Sequence, residues 1–151
     1  MREIASLEAL RALTGTEVAQ SEWVEITQRQ VDQFADATLD HQWIHQDSER
    51  CRRDSPFGGP VAHGFLTLSL VSGMFDTALR MVDVKMAVNY GLNKVRFPAP
   101  VPVGSRLRSR MVLLAVEDIA GGAQLVWQVT IEREGGAKPV CVAEVLVRRY
   151  S

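Results

Sequence analysis

The stretch Ala62-His63-Gly64-Phe65-Leu66-Thr67-Leu68-Ser69-Leu70-Val71-Ser72-Gly73-Met74-Phe75-Asp76-Thr77-Ala78-Leu79-Arg80-Met81-Val82 carries apolar residues nearly all around a helical wheel. A helix of that kind, running from Ala62 to about Val82, is stable only when most of its circumference is buried. What can cover it lies downstream. Four segments of β character follow, Val84 to Phe97, Arg106 to Asp118, Ala123 to Glu134 and Lys138 to Arg149. The pairs Gly121-Gly122 and Gly135-Gly136 stand where tight reversals need positive φ, so the last three strands are expected to form an antiparallel meander. An antiparallel sheet wrapped around a long central helix is the α+β arrangement these elements predict. Such a sheet leaves an edge and part of the helix uncovered, and a second copy of the chain covers both, so a homodimer is expected.

Upstream of the helix the signals are more local. Ser6 caps a short helix carrying Leu7, Leu10 and Leu13, with Gly15 as its stop, and this helix is expected at the periphery. Thr16 to Ile26 reads as one strand. Thr27 followed by Gln30 matches a capping box for a helix with Val31, Phe34 and Ala35 on one face, ending near Thr38. A loop through Trp43 and Ile44, a helical turn started by Asp47, and the breaker cluster Asp54-Ser55-Pro56-Phe57-Gly58-Gly59-Pro60 fill the distance to the long helix.

Composition narrows the function classes. The chain has 151 residues, 46% hydrophobic and 23% charged, which suits a single domain spanning residues 1–151. Seventeen Lys and Arg against 18 Asp and Glu give no basic field for a polyanion, so nucleic-acid binding is not expected. The most apolar run, Val61 to Phe75, is interrupted by polar residues and stops short of the roughly 20 residues a bilayer span requires, so no membrane insertion is expected. Without the apolar run of a secretory signal near Met1, the chain reads as cytoplasmic. Cys51 and Cys141 are too few and too far apart for a disulfide framework or a zinc site, and are expected to be reduced structural thiols.

Two short constellations can carry chemistry. In Asp40-His41-Gln42-Trp43-Ile44-His45 an acid and an imidazole lie on either side of a helix end, with Trp43 and Ile44 able to wall the space between them from water. Desolvation there would raise the Asp40 pKa and suit it to proton transfer. Spacing permits this convergence without forcing it; Asp40 capping a turn and His45 as an ordinary structural histidine fit the same residues. In Gly58-Gly59-Pro60-Val61-Ala62-His63-Gly64-Phe65 a glycine-rich loop runs into the long helix, where the Gly64 N–H can face an oxygen that gains negative charge. A packing glycine is the plain alternative, and His63 is either a helix cap or a wall of the same pocket.

These segments, with Asn89-Tyr90-Gly91-Leu92-Asn93-Lys94-Val95-Arg96-Phe97, make the chain resemble the MaoC-like hydratases and dehydratases, the (R)-specific enoyl-CoA hydratase branch of the hot-dog fold. The resemblance spans most of the chain. It implies that Asp40 and His45 are the catalytic pair and that the Gly64 N–H is the oxyanion contact. The reaction implied is hydration of trans-2-enoyl thioesters, or dehydration of (R)-3-hydroxyacyl thioesters, in fatty-acid metabolism. It needs no metal or redox cofactor, since coenzyme A or acyl carrier protein arrives as part of the substrate. His63, Trp43, Tyr90 and Arg96 are expected to touch substrate, and Arg106, Arg108 and Arg110 offer a seat for coenzyme A phosphates or simply a solvated face. The chain departs from the family where Leu39 replaces the usual Gly before the Asp, and where Gln42 and Trp43 replace Asn-Pro. That change bears on acyl-chain preference and rate more than on reaction type. An acyl-CoA thioesterase on the same scaffold, or a non-catalytic acyl-thioester-binding protein, remains the alternative.

Overall fold

The computed structural model describes all residues, 1–151. Its elements are β1 (Arg2–Ile4), α1 (Leu7–Arg11), β2 (Glu17–Gln20), β3 (Val24–Glu25), α2 (Gln28–Thr38), α3 (Trp43–Gln46), α4 (Ser48–Asp54), α5 (Gly64–Ser69), α6 (Val71–Ala78), β4 (Leu79–Met81), β5 (Met86–Arg96), β6 (Arg106–Ile119), β7 (Gly122–Arg133) and β8 (Cys141–Tyr150). A six-stranded antiparallel sheet runs in the order β2-β6-β7-β8-β5, with β3 also on β6. The expected meander is present as β6-β7-β8. Gly121 and Gly135 turn at φ 78° and 76°.

One face of the sheet is dry. Leu107, Met111 and Leu113 of β6, Leu125, Trp127, Val129 and Ile131 of β7, and Cys141 and Ala143 of β8 alternate onto it. Leu66, Val71, Met74 and Ala78 of the central helix join the same core, and Phe75 meets Trp127 edge-on with ring centroids 5.1 Å apart.

The central helix is shorter than its apolar pattern predicts. It breaks lightly at Leu70 between α5 and α6 and ends at Ala78, because Leu79 takes extended backbone. Leu79–Met81 then pairs in parallel with Arg2–Ile4, a partnership between distant segments that local periodicity cannot reveal. Nor is the helix covered all round: Phe65 is 70% exposed. The helix α1 is not peripheral either, since Leu10 is fully buried in the main core.

The single strand expected over Thr16 to Ile26 is split into β2 and β3. The Ser21 hydroxyl accepts the Ser109 N–H at 2.9 Å, taking the place of a ladder carbonyl, so the chain swings off β6 there. The capping box of α2 forms as read, with the Gln30 N–H on the Thr27 hydroxyl and the Thr27 N–H on the Gln30 side chain.

Gly122 fixes the register of the meander from the inside. A Cβ at this position would lie 1.9 Å from the Arg149 carbonyl oxygen, a backbone atom that cannot step aside. Gly122→Ala is expected to destabilise the fold by about 2–3 kcal/mol, as overpacking does, and to lower the thermal midpoint by about 4–12 °C. Thermal unfolding followed by circular dichroism checks it; an unchanged midpoint would contradict this register.

Candidate active site

Three segments meet at the N-terminal end of the central helix. The first is the turn between α2 and α3. The second is the loop 57–63, and the third is the Pro-rich stretch after β5. They are stitched by backbone bonds: the Val61 N–H to the Ile44 carbonyl at 3.0 Å, the Ala62 N–H to the Val101 carbonyl at 2.8 Å, and the Val103 N–H to the Pro60 carbonyl at 3.0 Å. Gln28 of α2 reaches across to donate to the His45 carbonyl at 2.8 Å, holding α3 against α2.

His45 is buried and its Nδ1 lies 2.6 Å from the Val61 carbonyl oxygen. A carbonyl only accepts, so Nδ1 carries the proton and Nε2 keeps its lone pair. The ring stacks on His63 with centroids 3.8 Å apart and planes 26° from parallel. Burial, first of all, holds the His45 pKa below its ordinary 6.5; the neighbouring His63 pushes the same way, while the Val61 carbonyl and Asp40 oppose it.

Asp40 sits on the rim. It is exposed, not walled from water by Trp43 and Ile44 as the sequence suggests, and its Oδ1 accepts the Gln42 N–H at 3.3 Å. The residue before it, Leu39, is the C-cap of α2 in the left-handed region at φ 66°. The turn therefore has the backbone conformation that favours glycine, and carries it without one.

Gly64 is the first residue of α5, and its N–H meets no acceptor in the protein. A Cβ here would come within 3.1 Å of the Phe97 ring, so a larger residue would have to push that ring aside. Gly64 and His45 line one pocket of 320 Å³, walled by Ile44, Phe57, Thr67, Phe97 and the Pro98–Val101 stretch. Asp40, His45 and His63 each bring one ligating atom within 4.8 Å of the others. Two of the four imidazole nitrogens are taken by carbonyls, leaving two nitrogens and the carboxylate as a cluster that suits proton transfer as well as ligation.

Of the other residues expected at the site, His63 is present but does not line the pocket. It is 3% exposed, its Nε2 donates to the Asp40 carbonyl at 3.0 Å, and its ring packs on Phe34. Trp43 turns away on α3, under the Arg50 guanidinium at 4.2 Å. Tyr90 lies farther along β5, with the Arg148 guanidinium 3.5 Å from its ring centroid. Arg96 lines a separate cleft with Leu114 and Gln128, its guanidinium folded back on the Val95 carbonyl. Arg106, Arg108 and Arg110 pair with Glu134, Glu132 and Glu17 across neighbouring strands, so that stripe is neutralised within the sheet. The sequence reading missed Phe57, Thr67 and the Phe97–Val101 wall. Their signal was the run Phe97-Pro98-Ala99-Pro100, read only as a strand end.

The sequence model of the MaoC like domain matches residues 10–134. The chain belongs to the MaoC-like family. It is 54% identical over 149 residues to 3-hydroxyacyl-thioester dehydratase Z of Mycobacterium tuberculosis, covering 98% of both chains. The fold is shared with a monoamine oxidase regulatory protein of Archaeoglobus (TM-score 0.80, 23% identity, covering 99% of this chain and 97% of that one). It is also shared with the R-hydratase PhaJ1 of Pseudomonas aeruginosa in its unliganded form (TM-score 0.71, 22% identity, 91% and 82%). In this MaoC-like chain the Asp-to-His turn is held together with a strained leucine where the family pattern usually has glycine.

Leu39 is 83% exposed, so its side chain contributes little packing to set against that strain. Leu39→Gly is expected to raise stability by about 0.5–1 kcal/mol and the thermal midpoint by about 1–4 °C. Differential scanning calorimetry of the two proteins checks it, and a lower midpoint would mean that Leu39 is packed in the assembled protein.

Proposed function

We propose that the protein is a hydro-lyase that hydrates trans-2-enoyl thioesters and dehydrates (R)-3-hydroxyacyl thioesters, most simply as coenzyme A esters in fatty-acid metabolism. The observation that carries this is the pocket lined by a neutral, oriented His45 and by Gly64 with its unpartnered N–H, with the Asp40 carboxylate beside it, one oxygen within 4.8 Å of the His45 ring. The full-length likeness to a 3-hydroxyacyl-thioester dehydratase supports the same reading.

The reaction moves one proton at C2 and one hydroxyl at C3 while charge builds on the thioester oxygen. In hydration the His45 Nε2 lone pair takes a proton from water as its oxygen bonds to C3. The carboxylic-acid form of Asp40 delivers its proton to C2, the Gly64 N–H donates to the enolate-like oxygen, and the proton taken up by His45 then returns to Asp40 through solvent to close the cycle. Dehydration runs the steps in reverse: Asp40 removes the C2 proton and His45 protonates the departing hydroxyl. Asp40 and His45 hold one transferable proton between them in either direction. No hydrolytic nucleophile or base beyond this pair is needed, which sets the reading apart from a thioesterase.

His63 acts in this scheme as a positioning residue. Its bond to the Asp40 carbonyl and its stack on His45 tie both members of the pair to the residue that precedes Gly64. It braces the site from behind and leaves substrate contact to the pocket walls.

A second copy completes the molecule. The edge strand β5 is unpaired on one side and exposes Met86, Val88, Tyr90 and Leu92 at 52%, 42%, 56% and 45%. An eleven-residue edge strand carrying these four exposed apolar side chains, with Phe65 exposed as well, is an association surface of the kind that homodimers bury. The 24-residue core is one continuous cluster, in keeping with a single domain over 1–151. Both cysteines are free and buried, as suits a reducing cytoplasm. No helix is long and apolar enough to cross a membrane.

Purified protein mixed with crotonyl-CoA is expected to lose enoyl absorbance without releasing thiol; thiol release would make it a thioesterase, and binding without either change a carrier. Asp40→Asn and His45→Gln should each lower kcat by about 10²- to 10⁴-fold, and full activity in either would remove the mechanism. His63→Gln, which keeps an N–H for the Asp40 carbonyl, should hold most of the rate. His63→Leu should lose about 10²-fold in kcat at unchanged KM.

The acid limb of kcat/KM should lie below pH 6.5, because burial favours neutral His45. The same depressed value makes the unfolded chain the stronger proton binder. His45 therefore contributes stability above about pH 6.5 that is lost as pH falls through the folded-state value, and His45→Gln should flatten this dependence in urea titrations. Light scattering should report a dimer, and Val88→Asp a smaller species; an unchanged monomeric mass for both would refute the pairing.

A further inference from the structure

His45 rides on α3, a helix of four residues, Trp43–Gln46. A helix that short has no stability of its own, because a single turn does not return the cost of nucleation. Its N-cap adds nothing, since the Gln42 side chain makes no capping hydrogen bond. The backbone that carries the base must therefore be held from outside.

Helix α2 holds it through two amides and one carboxylate. Gln28 Nε2 lies 2.8 Å from the His45 carbonyl oxygen and 3.0 Å from Asp32 Oδ1, and Gln46 Nε2 lies 3.1 Å from the same Asp32 oxygen. Each orientation is forced. A carboxylate and a carbonyl only accept, so the Gln28 amide points one hydrogen at each. Gln46 turns its nitrogen to Asp32 for the same reason, which leaves its Oε1 to accept from His41 Nδ1 at 2.9 Å. Gln28 and Asp32 stand one helical turn apart on one face of α2, and both, like Gln46, are half-buried. The three side chains form a bracket that grips α3 at two consecutive residues, His45 by its carbonyl and Gln46 by its side chain.

We infer that Gln28 and Asp32 are positioning residues for His45. Neither lines the pocket, so neither touches substrate. The imidazole is suspended between the Val61 carbonyl, which fixes the ring, and this bracket, which fixes the backbone the ring hangs from. With both in place Nε2 has one direction. Without the bracket α3 shifts, and a base displaced by about 1 Å can lose about 10²-fold in rate. The effect on rate rests on the hydro-lyase reading; the effect on the ring does not.

Two readouts on the full chain test this. Gln28→Met, which keeps nearly the same length and loses the N–H donors, and Asp32→Leu are each expected to lower kcat for crotonyl-CoA hydration by about 10- to 10²-fold at unchanged KM. Asp32→Asn, which keeps an oxygen acceptor for both amides, is expected to retain most of the rate. In nitrogen-edited proton NMR the His45 Nδ1–H is expected to exchange with solvent about tenfold or more faster in Gln28→Met than in the wild type, and at the wild-type rate in Asp32→Asn. Wild-type kcat and ring exchange in Gln28→Met, an Asp32→Asn protein as impaired as Asp32→Leu, or a KM that rises as kcat falls would each overturn the assignment. Gln28→Met decides if Asp32→Leu does not fold. A wild-type protein that does not hydrate crotonyl-CoA would sink the hydro-lyase reading instead, and ring exchange would then judge the bracket by itself.

Discussion

The hydrogen bond from His45 Nδ1 to the Val61 carbonyl is the constraint on which the site depends. It selects one tautomer, leaves Nε2 as a base, and pins the turn after α2 to the loop that starts the central helix. The return bond from the Val61 N–H to the Ile44 carbonyl makes the attachment two-point, so the ring cannot pivot without breaking backbone pairing. Because Gly64 follows Val61 by three residues, the same bond sets the distance between the imidazole and the unpartnered N–H. The glycine-rich loop and the acid-imidazole turn thus form one unit, although neither segment folds into a regular element long enough to be rigid alone. Rigidity comes from the sheet, through the bonds of Ala62 and Val103 that moor the loop to the stretch after β5.

Where chemistry is local, the sequence was legible. The capping box at Thr27 and Gln30 and the positive-φ glycines of the meander are set by interactions spanning few residues, and Asp40 and His45 lie close in sequence although bonds to Val61 and His63 hold them in place. Where a partner is distant, it was not. Leu79 and Met81 fit a helical wheel as well as a strand, and only the arrival of Arg2–Ile4 decides between them. Alternation onto one face of a strand could not say which face is dry: Tyr90 and its neighbours lie on an open edge, and Arg106, Arg108 and Arg110 find acids on strands far away in sequence. His63 was legible as a site residue, but its role is set by what lies behind the pocket, which no motif spells out.

Exposure along β5 and the central helix follows from the fold's geometry. Alternate residues of β6 and β7 find the helix on one side, whereas β5 ends the sheet and has no strand beyond it. Its apolar residues Met86, Val88, Tyr90 and Leu92 are therefore left exposed in the protomer. The near-continuous apolar wheel of the helix reads the same way: Leu66 and Met74 face the protomer's own core, and Phe65 faces outward. An apolar pattern wider than one protomer can bury is what the proposed homodimer would cover.

Asp40 and His45 are unequal in their surroundings, and in the proposed reaction this inequality is part of the chemistry. His45 is dry and braced from behind, so its charge is costly and its geometry fixed, as suits a base that must return its proton each cycle. Asp40 is held by its own backbone, through the carbonyl that His63 grips, while its carboxylate stands at the rim. The strained Leu39 is what aims that carboxylate, since the left-handed residue reverses the chain at the end of α2 and presents Asp40 toward the helix start. A turn with glycine there would hold the same shape with more freedom in the unfolded chain and less strain in the folded one.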